Sequence, residues 1–121
     1  MAVSPVYKEN DSGEKKQIEP WGSLRWIASA SIGNATGLTL GYVTINSGKE
    51  NPRHAHPTCE EVLYLMKGSL THSIGSESFE ISAGDAITIP EGVFHNAVNN
   101  GDETAEMIVS YSSANRDFIL E

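Results

Sequence analysis

From Leu24 onward the chain breaks into short runs of β-branched, aromatic and aliphatic residues separated by glycine, proline and asparagine. Leu24 to Ala30 and Leu38 to Ile45 are the first two such runs, with Gly33-Asn34 between them as a turn signal. Further strands are predicted over Glu61 to Met66, Ser69 to Ile74, Ser78 to Ile81, Ala86 to Ile89, His95 to Asn99 and Ala105 to Tyr111. Gly75-Ser76 suits a tight hairpin with glycine at the positive-φ position. Ala83-Gly84-Asp85 and Pro90-Glu91-Gly92 punctuate the later runs. No segment carries a sustained helical period, although Asn115 to Leu120 has room for a short turn. Residues 1–20 are polar, charged and end at Pro20, and read as a flexible arm ahead of one domain over residues 21–121. Evenly spaced short strands with these turns make an all-β barrel or sandwich.

Composition narrows the function classes. A chain of 121 residues is one domain with a real core. Sixteen acidic residues against eight Lys and Arg give a formal charge of −8 with no basic cluster, which disfavours nucleic acid as a partner. The single cysteine, Cys59, cannot form an intrachain disulfide and suits a reducing compartment. No apolar run is long enough to span a bilayer and the first residues lack an apolar signal segment, so a cytoplasmic protein without membrane contact is expected.

The candidate chemistry sits in two glycine-framed blocks. His54 and His56 are two apart, so in an extended strand both imidazoles point to one face; Glu61 follows a short polar turn, and His95 comes from a separate stretch. Taken alone, His54 and His56 read better as surface histidines in a loop beside Pro52 and Arg53, and His95 reads also as a capping histidine after the Pro90–Gly92 turn. The spacing decides. The first block, Gly48-KENPR-His54-Ala55-His56-PTCE-Glu61-VLYLMK-Gly68, fills every fixed position of the first consensus motif of the cupin superfamily. The second, Gly84-DAITI-Pro90-Glu91-Gly92-VF-His95-NAV-Asn99, fills the second motif. From Gly48 to Asn99 the resemblance spans a little under half the chain.

That resemblance implies a double-stranded β-helix, or jelly-roll barrel, and a metal site made by His54, His56, Glu61 and His95. The metal it implies is one divalent transition ion per chain, with iron, manganese, nickel, copper and zinc all open. Three neutral imidazoles and one carboxylate leave such an ion net positive, with positions for a small-molecule ligand. The resemblance to quercetin dioxygenase-like and β-diketone-cleaving cupins implies cleavage of an enol, β-diketone or flavonol-like substrate with O₂ as co-substrate. Glu61 is then a candidate proton acceptor. A redox-neutral isomerase or lyase and a non-catalytic small-molecule binder are the alternatives, since one barrel hosts many functions.

Other residues carry weaker signals. His72 alternates with Leu70 and Ile74 on an apolar face; it reads as a buried core histidine or, if that face is the barrel interior, as an acid–base group. Glu60 reads as a solvated or nearby supporting acid, and Cys59 as a loop residue although thiolate suits zinc. Arg53 and Tyr111 are candidates for the barrel mouth, with solvated or packing roles as the plainer reading, and Asn99 reads as structural. If Glu61 faces inward, so do Leu63 and Leu65, which leaves Val62, Tyr64 and Met66 outward. A strand apolar on both faces needs cover on both. Either residues 17–30 supply it, or a second subunit does; a homodimer is the expectation, as small cupins commonly dimerise.

Overall fold

The computed structural model describes residues 5–8 and 16–121, and among these every regular element is a strand. The strands are β1 (Gln17–Glu19), β2 (Gly22–Ala28), β3 (Thr39–Ile45), β4 (His54–Ala55), β5 (Glu61–Lys67), β6 (Ser69–Ile74), β7 (Glu77–Ser82), β8 (Ala86–Ile89), β9 (His95–Val98), β10 (Ala105–Tyr111) and β11 (Ile119–Leu120). They form two antiparallel sheets, ordered β1-β2-β3-β10-β5-β8 and β11-β4-β9-β6-β7. The molecule is an all-β jelly roll, as expected. Most of the expected arm, residues 1–4 and 9–15, lies outside the described residues. Its last residues do have structure: Gln17, Ile18 and Glu19 pair with Leu24, Ser23 and Gly22 as an edge strand.

Strict alternation builds the first sheet. Along β3 and β10 every second residue is buried, and the two strands pair in unbroken register from Ala105↔Ile45 to Tyr111↔Thr39. In β5, Glu61, Leu63 and Leu65 are buried while Val62, Tyr64 and Met66 point out. The inward side chains meet Leu70 and Ile81 from the second sheet, closing a core with Ile45, Ile89, Met107 and Val109. Burying each such aliphatic side chain contributes about 1.5–3 kcal/mol.

Turn chemistry fixes the register of β6 and β7. Gly75 takes φ +60°, so Ile74 pairs directly with Glu77 across a two-residue loop. Gly41, at the centre of β3, matters for a different reason. A Cβ there would stand 2.6 Å from the Trp26 ring, so only glycine lets that indole lie flat over the strand. Asn99 is fully buried; its Nδ2 donates to the carbonyls of Ile45 and Glu103, and its Oδ1 accepts from Gly101 N, all at 2.9 Å. It is a structural tie between loops.

The end of the chain differs from expectation. Asn115 to Leu120 is no helical turn: Ile119 and Leu120 form β11, pairing with Ala55 and His54. The reason is a free edge. β4 has β9 on one side only, and the returning tail satisfies the other. Ala30 N donates to Ala114 O and Thr39 Oγ1 to Ser113 O, which lays the segment across the mouth of the barrel.

Candidate metal centre

The two sheets deliver the four motif residues to one point. His54 and His95 are cross-strand partners in β4 and β9, and His56 follows one residue after β4. Glu61 opens β5 in the opposite sheet, held between Ile89 of β8 and Tyr111 of β10. All four are buried, and one ligand atom from each lies within 4.8 Å of the others.

Each imidazole is oriented by a backbone carbonyl. Nδ1 of His54 donates to Pro52 O at 2.7 Å and Nδ1 of His95 to Val93 O at 2.9 Å, the same two-residue back-reach in both. Nδ1 of His56 donates to Asp117 O of the tail at 2.8 Å. With the Nδ1 proton engaged, a neutral ring presents the Nε2 lone pair to the site. Burial lowers the His54 pKa to about 4, so that ring is neutral at ordinary pH. Burial pushes the Glu61 carboxyl up, but the adjoining His56 and His95 outweigh it and hold Glu61 at about 2.

These contacts fit a cation. Glu61 Oε1 lies 3.1 Å from His95 Nε2 and 3.4 Å from His56 Nε2. The same hydrogen-bonding geometry that holds the Glu61 carboxyl ionised places the His56 and His95 Nε2 atoms against Oε1, so a cation that displaced their Nε2 protons would meet nitrogen lone pairs and a carboxylate at one point. His56 Nε2 is fully buried with no hydrogen-bond partner, a costly state that a metal ion would relieve. Three imidazole nitrogens and a carboxylate oxygen form a donor set for a divalent transition ion. Cys59 is buried outside the group, and burial followed by Glu61 raises its thiol pKa, so it stays protonated.

Above this point opens a cavity of about 830 Å³ lined by His54, His56, Glu61, His72 and His95 together with Leu63, Met107, Val109 and Tyr111. The site residues thus sit on the floor of a mostly apolar chamber. His72 lines it too, its ring stacked 5.8 Å from His95 and its Nδ1 donating to Ser73 O. Burial lowers its pKa to about 4. Tyr111 packs edge-on to His56 at 4.7 Å, and burial, then the charge of Glu61, raises its phenol well above the usual range. Arg53 points elsewhere: it pairs with Glu121 at 2.6 Å and donates to Ser73 Oγ and Gly75 O. Glu60 is exposed, and its backbone N–H donates to Ser112 Oγ.

The sequence reading missed Trp26, Arg116 and Phe118, which also line the chamber. Arg116 and Phe118 lie in the tail ahead of β11, where Asn115 and Asp117 line the chamber as well, so no periodicity in the sequence marks them.

A jelly roll with a buried three-histidine, one-glutamate cluster on the floor of its chamber defines a class. Residues 41–111 match the cupin domain, and the chain belongs to that family. It is 32% identical over 101 residues to the polyketide synthase CurC of Streptomyces cyaneus, covering 80% of this chain and 66% of CurC. It is 33% identical over 95 residues to oxalate oxidase 2 of Hordeum vulgare, covering 72% of this chain and 42% of that protein. A structure of recombinant oxalate oxidase in complex with glycolate superposes with a TM-score of 0.77 at 27% identity, over 84% of this chain and 56% of that one. The chain therefore spans only about two fifths to two thirds of the length of these proteins.

Proposed function

We propose that the protein is a metal-dependent enzyme that binds an enolisable, oxygen-chelating substrate (an enol, β-diketone or flavonol-like compound) and cleaves it with O₂. The observation that carries this reading is the convergence of four carbonyl-oriented or carboxylate donors on the floor of an 830 Å³ chamber of mixed apolar and polar lining. Cavities of roughly 300–1,000 Å³ take drug-sized ligands, and this one far exceeds what oxalate would fill. His54, His56, Glu61 and His95 would hold one divalent ion, drawn from iron, manganese, nickel, copper and zinc. Such an ion would supply Lewis acidity that favours the enolate form of a bound substrate. The apolar walls exclude water around that charge. His72, neutral and with Nδ1 committed to Ser73 O, keeps Nε2 as an acceptor for a substrate proton, and Glu61 is the second proton acceptor.

A redox-neutral isomerase or lyase is the second reading. His72 beside the cluster favours it, as does the likeness to a protein named as a polyketide synthase. Oxygen uptake separates the two. The protein loaded with iron or manganese is given acetylacetone and quercetin in an oxygen electrode. Equimolar loss of O₂ and substrate, abolished in Glu61→Ala, supports the dioxygenase; substrate conversion without O₂ uptake rejects it in favour of the second reading. His72→Gln should keep its metal and lose about 10²-fold or more in rate, the scale of a removed acid–base group.

The outward stripe of β5 supports a homodimer. Val62, Tyr64 and Met66 are 41%, 46% and 39% exposed, an apolar stripe left partly open on the outer face of the sheet. The lone, reduced thiol of Cys59 suits a cytoplasmic setting.

A further inference from the structure

Among the described residues, Arg116 differs from the ion-paired cations Arg53 and Lys67. It lies half-buried on the tail segment that crosses the barrel mouth, and it lines the same chamber as the four-residue cluster. Its guanidinium carbon sits 4.1 Å above the Trp26 ring, 5.5 Å from Tyr111 and 6.0 Å from Phe118. Tyr111 in turn packs against His56 at 4.7 Å, so one aromatic ring separates the guanidinium from the cluster.

The contrast with Arg53 is informative. Arg53 shows how this chain uses an arginine structurally: it forks onto Glu121 and donates to Ser73 Oγ and Gly75 O. Arg116 makes no hydrogen bond and no ion pair with any described residue, in a chain with twice as many acids as Lys and Arg. Aromatic stacking holds the guanidinium plane but leaves its in-plane N–H donors unused. A guanidinium held over an indole at the wall of an open-mouthed chamber suits a planar, two-oxygen anion.

We infer that Arg116 anchors a carboxylate on the substrate, so that the substrate class is an enol or diketone carrying an acidic group, chelated at one end and clamped at the other. The inference rests on the enol-chelating reading above and narrows it. Trp26, held by Gly41, is the platform that positions the clamp.

Two hydroxypyranones test it. Kojic acid and comenic acid share one hydroxyl–carbonyl chelating edge and differ in carrying a hydroxymethyl or a carboxylate at the same ring carbon. Binding to the zinc-loaded protein is followed by calorimetry and by tryptophan fluorescence, since Trp21 and Trp26 both line the chamber. The wild type should hold comenate about 10–100-fold tighter than kojic acid, the range expected for a charge-assisted bond. Arg116→Gln should erase that preference and leave kojic acid affinity unchanged. If the preference survives in Arg116→Gln, or the wild type binds both compounds alike, the carboxylate clamp is wrong and the enol-chelating reading stands. If Arg116→Gln weakens kojic acid as much as comenate, Arg116 holds the tail in place and the clamp is again rejected. If neither compound binds the zinc-loaded wild type, the enol-chelating reading falls and takes this inference with it.

Discussion

Asn99→Asp keeps the shape of the Asn99 side chain but removes one donor, and its cost follows from the three bonds at that position. Asn99 is fully buried and its Nδ2 serves two carbonyls, those of Ile45 and Glu103. A carboxylate there would face both carbonyls as a third acceptor, so the variant folds with the acid protonated. One carbonyl is then left without a donor, at about 1–3 kcal/mol. Keeping an aspartic acid protonated at pH 7, when its unfolded form has a pKa near 3.9, adds about 4 kcal/mol. The total is about 5–7 kcal/mol, comparable with the whole stability of a small domain. The sign with pH follows from proton counting. The folded variant binds one proton that the unfolded chain has released, so its stability falls as pH rises above about 4. Between pH 5 and pH 7 the gap from the parent should therefore widen by about 2.7 kcal/mol. Urea unfolding followed by tryptophan fluorescence, parent against variant at each pH, measures it, and the titration of the native histidines cancels in the difference. A penalty below about 1 kcal/mol at pH 7, or one independent of pH, would refute the assignment of Asn99 as a buried tie.

Further outcomes follow from other parts of the structure. Removing residues 117–121 deletes the Asp117 carbonyl that orients His56 and strips β11 from β4; metal affinity, measured by chelator competition, should fall about 10–100-fold, and an unchanged affinity would show that the tail does not support the site. Val62→Lys combined with Met66→Lys places two charges on the outward stripe of β5. It should yield a monomer by light scattering, and a dimeric mass in the double variant would exclude that stripe as the interface. Gly41→Ala drives a methyl into the Trp26 ring, where the Cβ would lie 2.6 Å away; it should destabilise by about 1–3 kcal/mol, read from thermal unfolding, and no loss would mean that the indole moves freely.

The parts of the fold legible in the sequence were those with either a period or a fixed spacing. Glu61 to Met66 alternates cleanly, and its inward and outward faces are the ones observed. His54, His56, Glu61 and His95 were assigned by motif spacing, and they meet within 4.8 Å although they come from two different sheets. Asn99 read as structural and is a tie between loops. The illegible parts are short or long-range. β1, β4 and β11 have two or three residues each, too few for any periodicity, and exist because neighbouring edges need partners. Phe118 and Arg116 reach the site through long-range ties, the pairing of β11 with β4 and the hydrogen bonds of Ala114 and Ser113 to Ala30 and Thr39. Tyr111 was a candidate for the barrel mouth, but its place as the packing partner of His56 depends on the register of β10 against β5.

The central claim is that three histidines and one glutamate hold a single divalent ion. Metal content per chain by mass spectrometry, on untagged protein reconstituted in turn with iron, manganese, nickel, copper and zinc, tests it most directly, with His95→Ala measured alongside. The account predicts near-stoichiometric metal in the wild type and its loss in a His95→Ala protein that keeps its β-sheet circular dichroism. Full metal content in folded His95→Ala, or none in the wild type with any of the five ions, would contradict it.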